Sequence, residues 1–466
     1  MNRYDEPPPG DATTEFWEAR HSLRHIRDFA RGRRVCPWSV FGVVAVRASC
    51  HIPPHVHIPP LVGGRVSLNL FCALVGPSGV GKGGSESAGR DAIKFAGTTI
   101  TDLPELPLGS GEGVARTFQG DDGAHTALFT AQEIDSLGAL FARQGATLES
   151  ELRKMWTGET LGFTNSDKKT RTHVPQLSYR AGVIVGVQPR RAAVLLQGAD
   201  GGTPQRFMWM PVLDPHRPDQ RPDTPDPITV EVPRWNPGVL VVPDVAIRAV
   251  DDHQAAIHRQ DPDVDPLAGH ALLCRLKVAC ALMLLDQQAE QRAELNEEDW
   301  HLAGCVMAVS DATRADVQRA ARDKARSVNQ ARALATAERQ EIVSERKLQR
   351  AKEAILRRLT GDRQLTKNQL RQTLKADIRD DLQTALGELL DSGKITVSPA
   401  RRGTQRVHVY HQYTSQKLSS TSDDEACTAG TRVPTPLRLA HEPQTRRRQR
   451  TRGKYRSTQQ TDEESA

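Results

Sequence analysis

The sequence has few aromatic residues, 5% of its 466 positions, and hydrophobic residues reach only 38%. Mean hydropathy is −0.52. Because so lean a composition is unusual for a chain packed throughout, we expect part of it to lie outside any core. The length predicts about three domains. The net charge is +6, with the basic surplus late in the chain, which favours either a nucleic-acid partner or a solvated tail.

The seven cysteines are widely spaced and include no C-x-x-C pair. This pattern excludes a disulfide framework and a zinc knuckle, and it predicts reduced thiols in a cytoplasmic protein. Three histidines, His51, His55 and His57, lie close together, but prolines separate them and no cysteine or carboxylate is adjacent. A proline-rich connector therefore explains this segment better than a metal site.

Long apolar runs are also scarce. The longest one near the N-terminus, Val40 to Val46, is too short to span a bilayer, and no signal peptide is evident. The segment 268–285 is longer but contains two cations, which favours a buried bundle helix. We therefore expect no membrane partner.

One glycine-rich segment combines the features of a phosphate-binding loop. It follows an apolar run, 66–75, that predicts a buried parallel strand, and it precedes a predicted helix at 85–95. The spacing fits G-x-x-x-x-G-K, in which backbone N–H groups and a lysine bind phosphates. The alternative is a glycine-rich turn without function. The predicted ATP-binding residues are Gly76, Pro77, Ser78, Gly79, Val80, Gly81, Lys82 and Gly83.

The loop departs from the usual pattern after its lysine, where a Ser or Thr normally binds Mg²⁺. Gly83 occupies that position, and Ser85 is the nearest hydroxyl, so Ser85 is the predicted metal ligand. The usual acidic pair on a later strand is Gln132-Glu133, which leaves one carboxylate. Metal coordination is thus the least typical part of the predicted site.

Two further strands are predicted at 125–131 and 180–189, and polar residues follow them. Glu133 is the predicted catalytic carboxylate, although it could instead cap the following helix. Gln188 is the predicted sensor of the terminal phosphate, although it could be only a loop residue. Arg206 is the preferred source of catalytic positive charge, ahead of Arg190 and Arg191, acting within the chain or on a neighbouring subunit.

The chain divides into an α/β core with additions. The fold class is a P-loop NTPase with a RecA/AAA+-like parallel sheet, a helical lid and a C-terminal winged helix. Residues 313–347 fit a solvated helix as well as a coiled coil. The predicted segments are 1–14, disordered; 15–65, helices docked on the core; 66–244, ATPase core; 245–312, lid; 313–347, charged linker helix; 348–412, winged helix; and 413–466, disordered basic tail.

The predicted winged helix has three helices and a hairpin with the tip Pro399 to Gly403. Its predicted DNA-binding residues are Lys375 and Arg379 on the third helix and Arg401 and Arg402 on the wing. Acidic residues share that helix, so contact with another protein stays an alternative. The arginine-rich tail could add salt-sensitive affinity for DNA.

Several separated blocks of sequence occur together in one family. The chain resembles ATPases of actinobacterial phages, prophages and plasmids, and it is similar to the helicase portions of mobile-element primase–polymerases. The likeness spans roughly residues 15–320. Its blocks are Phe16-Trp17, 27–30, Pro37-Trp38, 68–70, 75–83, 186–189, 200–207 and Asp299-Trp300 with Ala303 and Ser310.

The resemblance implies an ATP- and Mg²⁺-dependent helicase-like motor or loader in replication of a mobile element. It also implies a homo-oligomer, a hexamer in such proteins, with arginines acting across subunits. The implied partners are single-stranded or forked DNA and replication proteins such as a primase or initiator. Glycine after the loop lysine is tolerated in that family. The alternative is an ATP-switched DNA-binding initiator or regulator that does not translocate.

Overall fold

The computed structural model describes residues 10–98, 100, 102–120, 123–141, 147–163, 171–196, 201–265, 268–286, 292–402 and 405–413. The chain forms two compact units, residues 1–340 and 341–466. The predicted disordered segments at 1–9 and 414–466 lie outside the described residues. The predicted N-terminal disordered segment was wrong at its end, because a helix already begins at Gly10.

Thirteen α-helices are found in the described part of the chain. They are α1 Gly10–Glu18, α2 His21–Gly32, α3 Pro37–His51, α4 Lys82–Ala92, α5 Gly111–Thr117, α6 Ile134–Phe141, α7 Leu148–Thr157, α8 Ala193–Leu196, α9 Asp244–His258, α10 Ala268–Leu285, α11 Glu297–Arg358, α12 Lys367–Thr373 and α13 Leu382–Asp391.

The strands of the first unit are β1 Val56–His57, β2 Leu70–Val75, β3 Ile93–Ala96, β4 Glu105–Pro107, β5 Thr126–Ala131, β6 Leu161–Phe163, β7 Thr172–Val174, β8 Arg180–Val187, β9 Phe207–Pro211, β10 Ile228–Glu231 and β11 Gly238–Val239. Those of the second unit are β12 Leu365–Thr366, β13 Ile395–Arg402 and β14 Gln405–Gln412.

A five-stranded parallel sheet forms the centre of the first unit, in the order β4-β5-β8-β2-β9. Every residue of β2 and of β8 is buried. Continuous apolar runs of this kind are typical of parallel strands that are covered on both faces. The expectation of an α/β fold with a parallel sheet is therefore confirmed.

The strand before the glycine-rich loop is shorter than the predicted 66–75. It begins at Leu70, because backbone groups before it bond outside the sheet: the Ser67 N–H donates to the Thr157 carbonyl at 3.0 Å, and the Asn69 carbonyl accepts from Lys277 Nζ. The Ser67 hydroxyl donates to Asn69 Oδ1 at 2.9 Å, and Asn69 Nδ2 donates to the Met155 carbonyl. These polar contacts hold the chain in place at the entrance to the sheet.

The helix after the loop also differs from the predicted 85–95. It begins at Lys82 and ends at Ala92, and β3 follows at once. Strand β3 pairs in parallel with β10, which lies more than a hundred positions later. A strand that depends on so distant a partner leaves no local signal in the sequence.

Three helices carry much of the core beside the sheet. Residues of α2, α3 and α10 belong to one hydrophobic cluster with β2, β5, β8 and β9. By length and composition alone, α10 could cross a membrane, but 61% of this helix is buried inside the protein. Its burial supports the predicted bundle helix.

A buried polar network joins the amino ends of the strands. The Arg180 guanidinium donates to the carbonyls of Ile52, Pro53 and Val56 and to Ser67 Oγ, at 2.7–2.9 Å. Lys277 on α10 is fully buried, donates to the Asn69 carbonyl at 2.9 Å and lies 3.6 Å from the centre of the Trp156 ring. Burial lowers the pKa of both cations.

The second unit has its own small core. The end of α11 packs with α12 and α13, and β12, β14 and β13 form an antiparallel sheet in that order. A capping box at Thr366 and Gln369 begins α12. Helix α11 runs for 62 residues, so the predicted boundaries at 312/313 and 347/348 fall inside one helix.

The Arg180 contacts generate a stability prediction. Arg180→Met keeps the side-chain volume but leaves buried carbonyls without donors, so we expect the free energy of unfolding to fall by about 3 kcal/mol. Urea denaturation followed by tryptophan fluorescence measures it. The matched control is Arg116→Met at an exposed position, where a change of less than about 0.5 kcal/mol is expected. Equal effects of the two substitutions would contradict the role given to Arg180.

Candidate functional site

The glycine-rich loop connects β2 to α4. Strand β2 ends at Val75, the Gly76 N–H donates to the Val187 carbonyl at 2.9 Å, and α4 begins at Lys82. Gly79 and Gly81 have φ values of +80° and +97°, a left-handed conformation that side chains other than glycine rarely adopt. The loop can therefore present backbone N–H groups and a helix N-terminus to one anion.

Lys82 lies across the loop. Its Nζ donates to the carbonyls of Gly76 at 3.0 Å and Pro77 at 2.7 Å. Burial lowers the pKa of Lys82, and the charge of Glu133 opposes that shift.

The register of the sheet brings three predicted residues to one edge. Val75 of β2 pairs with Val187 of β8, so Gln188 is level with Gly76. Ala131 of β5 pairs with Val185 of β8, so Glu133 is level with Val187. Strand β8 lies between the other two strands. Lys82, Glu133 and Gln188 therefore meet at the carboxyl edge of the sheet, where parallel sheets bind ligands.

Gly186 allows a close backbone contact at this edge. A Cβ atom added there would lie 2.2 Å from the Gln132 carbonyl oxygen and 3.4 Å from Lys82 Cδ. A side chain at this position would push the end of β5 away from β8. The placement of Glu133 thus depends on the absence of a side chain at Gly186.

Glu86 is a functional candidate that the sequence analysis missed. It lies on α4, is 7% exposed, and its Oε2 accepts from Gln132 Nε2 at 3.4 Å. Gln132 Oε1 is also 3.7 Å from the position of a Cβ on Gly83. Burial raises the pKa of Glu86 to about 7. The sequence did contain one indication of its role: Glu86 is a charged residue among the small residues Ser85, Ala88 and Gly89, which form the buried face of α4.

Ser85, the predicted metal ligand, faces the interior. It is 1% exposed, its Oγ lies 2.7 Å from Ser39 Oγ, and it donates to the Gly81 carbonyl at 3.1 Å. To reach a metal ion, the hydroxyl would have to leave both partners. These contacts indicate a structural role in joining α3 to α4.

Arg206 lies at the opposite edge of the sheet from the loop. Phe207 of β9 pairs with Phe71 of β2, so Arg206 is level with Leu70, six positions before Gly76. At about 3.3 Å per residue this separation is about 20 Å. The Arg206 side chain donates to the Gly201 carbonyl at 2.6 Å and lies over Trp156. Because Arg206 precedes its strand, it lies too far from the loop to act on a nucleotide bound to the same chain, which leaves action on a neighbouring subunit.

Arg190 and Arg191 are nearer to the carboxyl edge. They follow Gln188 in a 3₁₀ turn, Pro189–Arg191, and line a cavity of about 550 Å³ with Lys324 of α11. Among the three arginines considered from the sequence, these two are therefore better placed to add positive charge beside the loop.

The predicted DNA-binding residues of the second unit are placed differently than expected. Lys375 and Arg379 are exposed but flank a 3₁₀ turn, Ala376–Ile378, before α13 rather than lying on it. Arg401 and Arg402 lie in β13, which runs past the predicted tip. The side chain of Arg402 and the turn at 403–404 lie outside the described residues.

Some acids of this unit are paired with cations. Asp377 binds Arg350 at 3.0 Å, and Glu388 on α13 forms an ion pair with Lys352. The pairing reduces the negative charge that the sequence suggested would oppose phosphate here.

The burial of Glu86 predicts a pH dependence of stability. Because its pKa is raised in the folded protein, folding becomes less favourable as pH rises from about 4.5 to about 7. Glu86→Gln removes this effect, so we expect the variant to gain stability relative to wild type between pH 5 and 8, on the order of 3 kcal/mol. Chemical denaturation without nucleotide or metal at both pH values measures the gain. The exposed Glu231→Gln is the control, and a gain independent of pH would contradict the assignment.

Comparisons with known proteins leave the family open. No family model matches the chain, and no curated protein shows significant similarity to it. One solved structure that is similar is that of the Aeropyrum pernix ORC1 protein in complex with DNA, at 13% identity and a TM-score of 0.13. The match covers 76% of this chain and 85% of that one. At so low a TM-score, this similarity supports neither a shared fold nor a shared function.

Proposed function

We propose that the first unit is a RecA/AAA+-like P-loop NTPase that binds ATP with Mg²⁺ and hydrolyses it. The observation that carries this proposal is the meeting of Lys82, Glu133 and Gln188 at the carboxyl edge of one parallel sheet. Phosphoryl transfer needs a phosphate cradle, positive charge and a group that orients the attacking water. Residues of these types lie on the loop and on the ends of β5 and β8.

Each residue has a separate role in this proposal. The N–H groups of the loop and the Lys82 ammonium bind the β- and γ-phosphates, for which Lys82 exchanges its contacts with the Gly76 and Pro77 carbonyls. Glu133 orients and deprotonates the attacking water. Gln188, level with the start of the loop, contacts the γ-phosphate. Arg206 could act only across a subunit boundary, whereas Arg190 and Arg191 are the candidates within the chain.

The donors at this edge suit a magnesium ion. Mg²⁺ prefers oxygen ligands and is usually held by one or two carboxylates together with substrate phosphates. Glu86 and the Gln132 carboxamide supply such oxygens beside the loop. When bound, Mg²⁺ would neutralise the negative charge that develops on the phosphate oxygens.

We further propose that ATP hydrolysis drives a helicase-like motor or loader in replication of a phage, prophage or plasmid. Three helices and a hairpin in the second unit support a winged helix, with Lys375, Arg379 and Arg401 available to DNA phosphates. The proposed assembly is a homohexamer on single-stranded or forked DNA that works with a primase or initiator.

The second candidate is an initiator or regulator that uses ATP as a switch. The reduced metal-binding pattern at Gly83 and Gln132 favours it, because slow hydrolysis suits a switch better than a motor. The two proposals share the nucleotide site and differ in translocation.

The loop lysine provides the first test. Lys82→Ala removes the charged contact to the phosphates, worth about 3 kcal/mol, so ATP turnover should fall by about 100-fold or more. A coupled phosphate-release assay measures this, with exposed Lys94→Ala as the matched control. If Lys82→Ala hydrolyses ATP at the wild-type rate, the glycine-rich loop is not the nucleotide-binding site.

Single-stranded DNA provides the second test. A motor should hydrolyse ATP faster with single-stranded DNA and should unwind a forked duplex only with ATP. ATP turnover and strand separation, measured with and without DNA, distinguish the candidates. If the rate of ATP hydrolysis does not change with DNA while DNA binding depends on ATP, the motor proposal is rejected in favour of the ATP-switched initiator or regulator.

A further inference from the structure

Two departures from the usual phosphate-binding pattern lie close together in space. Gly83 stands where a hydroxyl is usual, and Gln132 stands where an aspartate is usual. The Gln132 carboxamide lies beside the Cβ position of Gly83, 3.7 Å away, and its Nε2 donates to Glu86 at 3.4 Å. The Gln132 carboxamide thus connects the position where a Ser or Thr side chain would begin to the Glu86 carboxylate.

The position of Glu86 on α4 directs its carboxylate toward the loop. Helical side chains lean toward the N-terminus and cover the preceding turn. Glu86 lies three positions after Gly83 and four after Lys82, so its carboxylate covers the first turn of α4. Because Gly83 has no side chain, nothing on that residue separates the carboxylate from the loop.

Glu86 also lacks the partner that a buried carboxylate normally needs. It is 7% exposed, and no cation in the described part of the chain forms a salt bridge with it. It accepts a hydrogen bond from the neutral amide of Gln132. Burying a carboxylate without a positive charge is unfavourable, and a bound divalent cation would reverse that cost.

We propose that Glu86 is the protein carboxylate that binds the divalent cation accompanying the nucleotide, with Gln132 holding it in position. This inference depends on the proposed nucleotide site. Mg²⁺ needs only one or two protein carboxylates when phosphate oxygens and water complete its coordination. Glu86 thereby replaces the metal-binding groups that are missing at Gly83 and Gln132, and Glu133 keeps its proposed role of orienting water.

The alternatives at this edge are less suitable. The Ser85 hydroxyl is turned toward Ser39 on α3. The Glu133 carboxylate is exposed and its charge acts on Lys82. A purely structural role for Glu86 would be to position Gln132, and Glu86→Gln separates that role from metal binding, since an amide can still bond to Gln132.

The test measures the Mg²⁺ concentration needed for half-maximal binding of a fluorescent, non-hydrolysable ATP analogue. The full-length wild type, Glu86→Gln, Glu133→Gln and the control Glu231→Gln are compared by fluorescence anisotropy. We expect Glu86→Gln to raise the required Mg²⁺ concentration by about tenfold or more. Glu133→Gln and Glu231→Gln should leave it within about twofold. Thermal denaturation of each variant without metal shows that it is folded.

Each outcome decides a separate question. If Glu86→Gln binds the analogue with the wild-type Mg²⁺ requirement, the inference is overturned while the nucleotide site stands. If Glu133→Gln alone shifts the requirement, the metal belongs to Glu133. If the wild type does not bind the analogue even with saturating Mg²⁺, the proposed function itself fails.

Discussion

The register of β8 between β2 and β5 is the constraint on which the candidate site depends. Its hydrogen bonds to both neighbours set the level at which the loop, Gln132-Glu133 and Gln188 leave the sheet. Because side chains alternate between faces, a shift of one residue would turn these groups to the other side. The burial of β8, which fixes its register, therefore positions the site residues as well as forming part of the core.

The two edges of the sheet differ in how their cations are used. At the amino edge, Arg180 and Lys277 are buried and bind carbonyl oxygens, which fixes the strands and occupies both cations. At the carboxyl edge, glycines replace side chains and Lys82 bonds to the loop's own carbonyls. Rigidity at one edge thus supports adaptable contacts at the other.

Much of this architecture was predictable because its signals are local. The apolar runs before Gly76 and Gln188 identified buried strands, and strand direction then placed Glu133 and Gln188 near Lys82. The pairing of β3 with β10 depends on distant residues and left no local pattern. Arg206 was misplaced because spacing along the chain does not show at which end of a strand a residue lies. Glu86 was missed because its significance appears only beside Gln132.

The contact between Gly186 and the Gln132 carbonyl has a mechanical consequence. Two backbones that touch without an intervening side chain leave no compressible layer between them, so the ends of β5 and β8 should move as a stiff pair. Lys82 packs against the same point through its aliphatic stem. A movement of the Lys82 side chain would therefore also move the ends of β5 and β8, because no flexible side chain lies between them to absorb it.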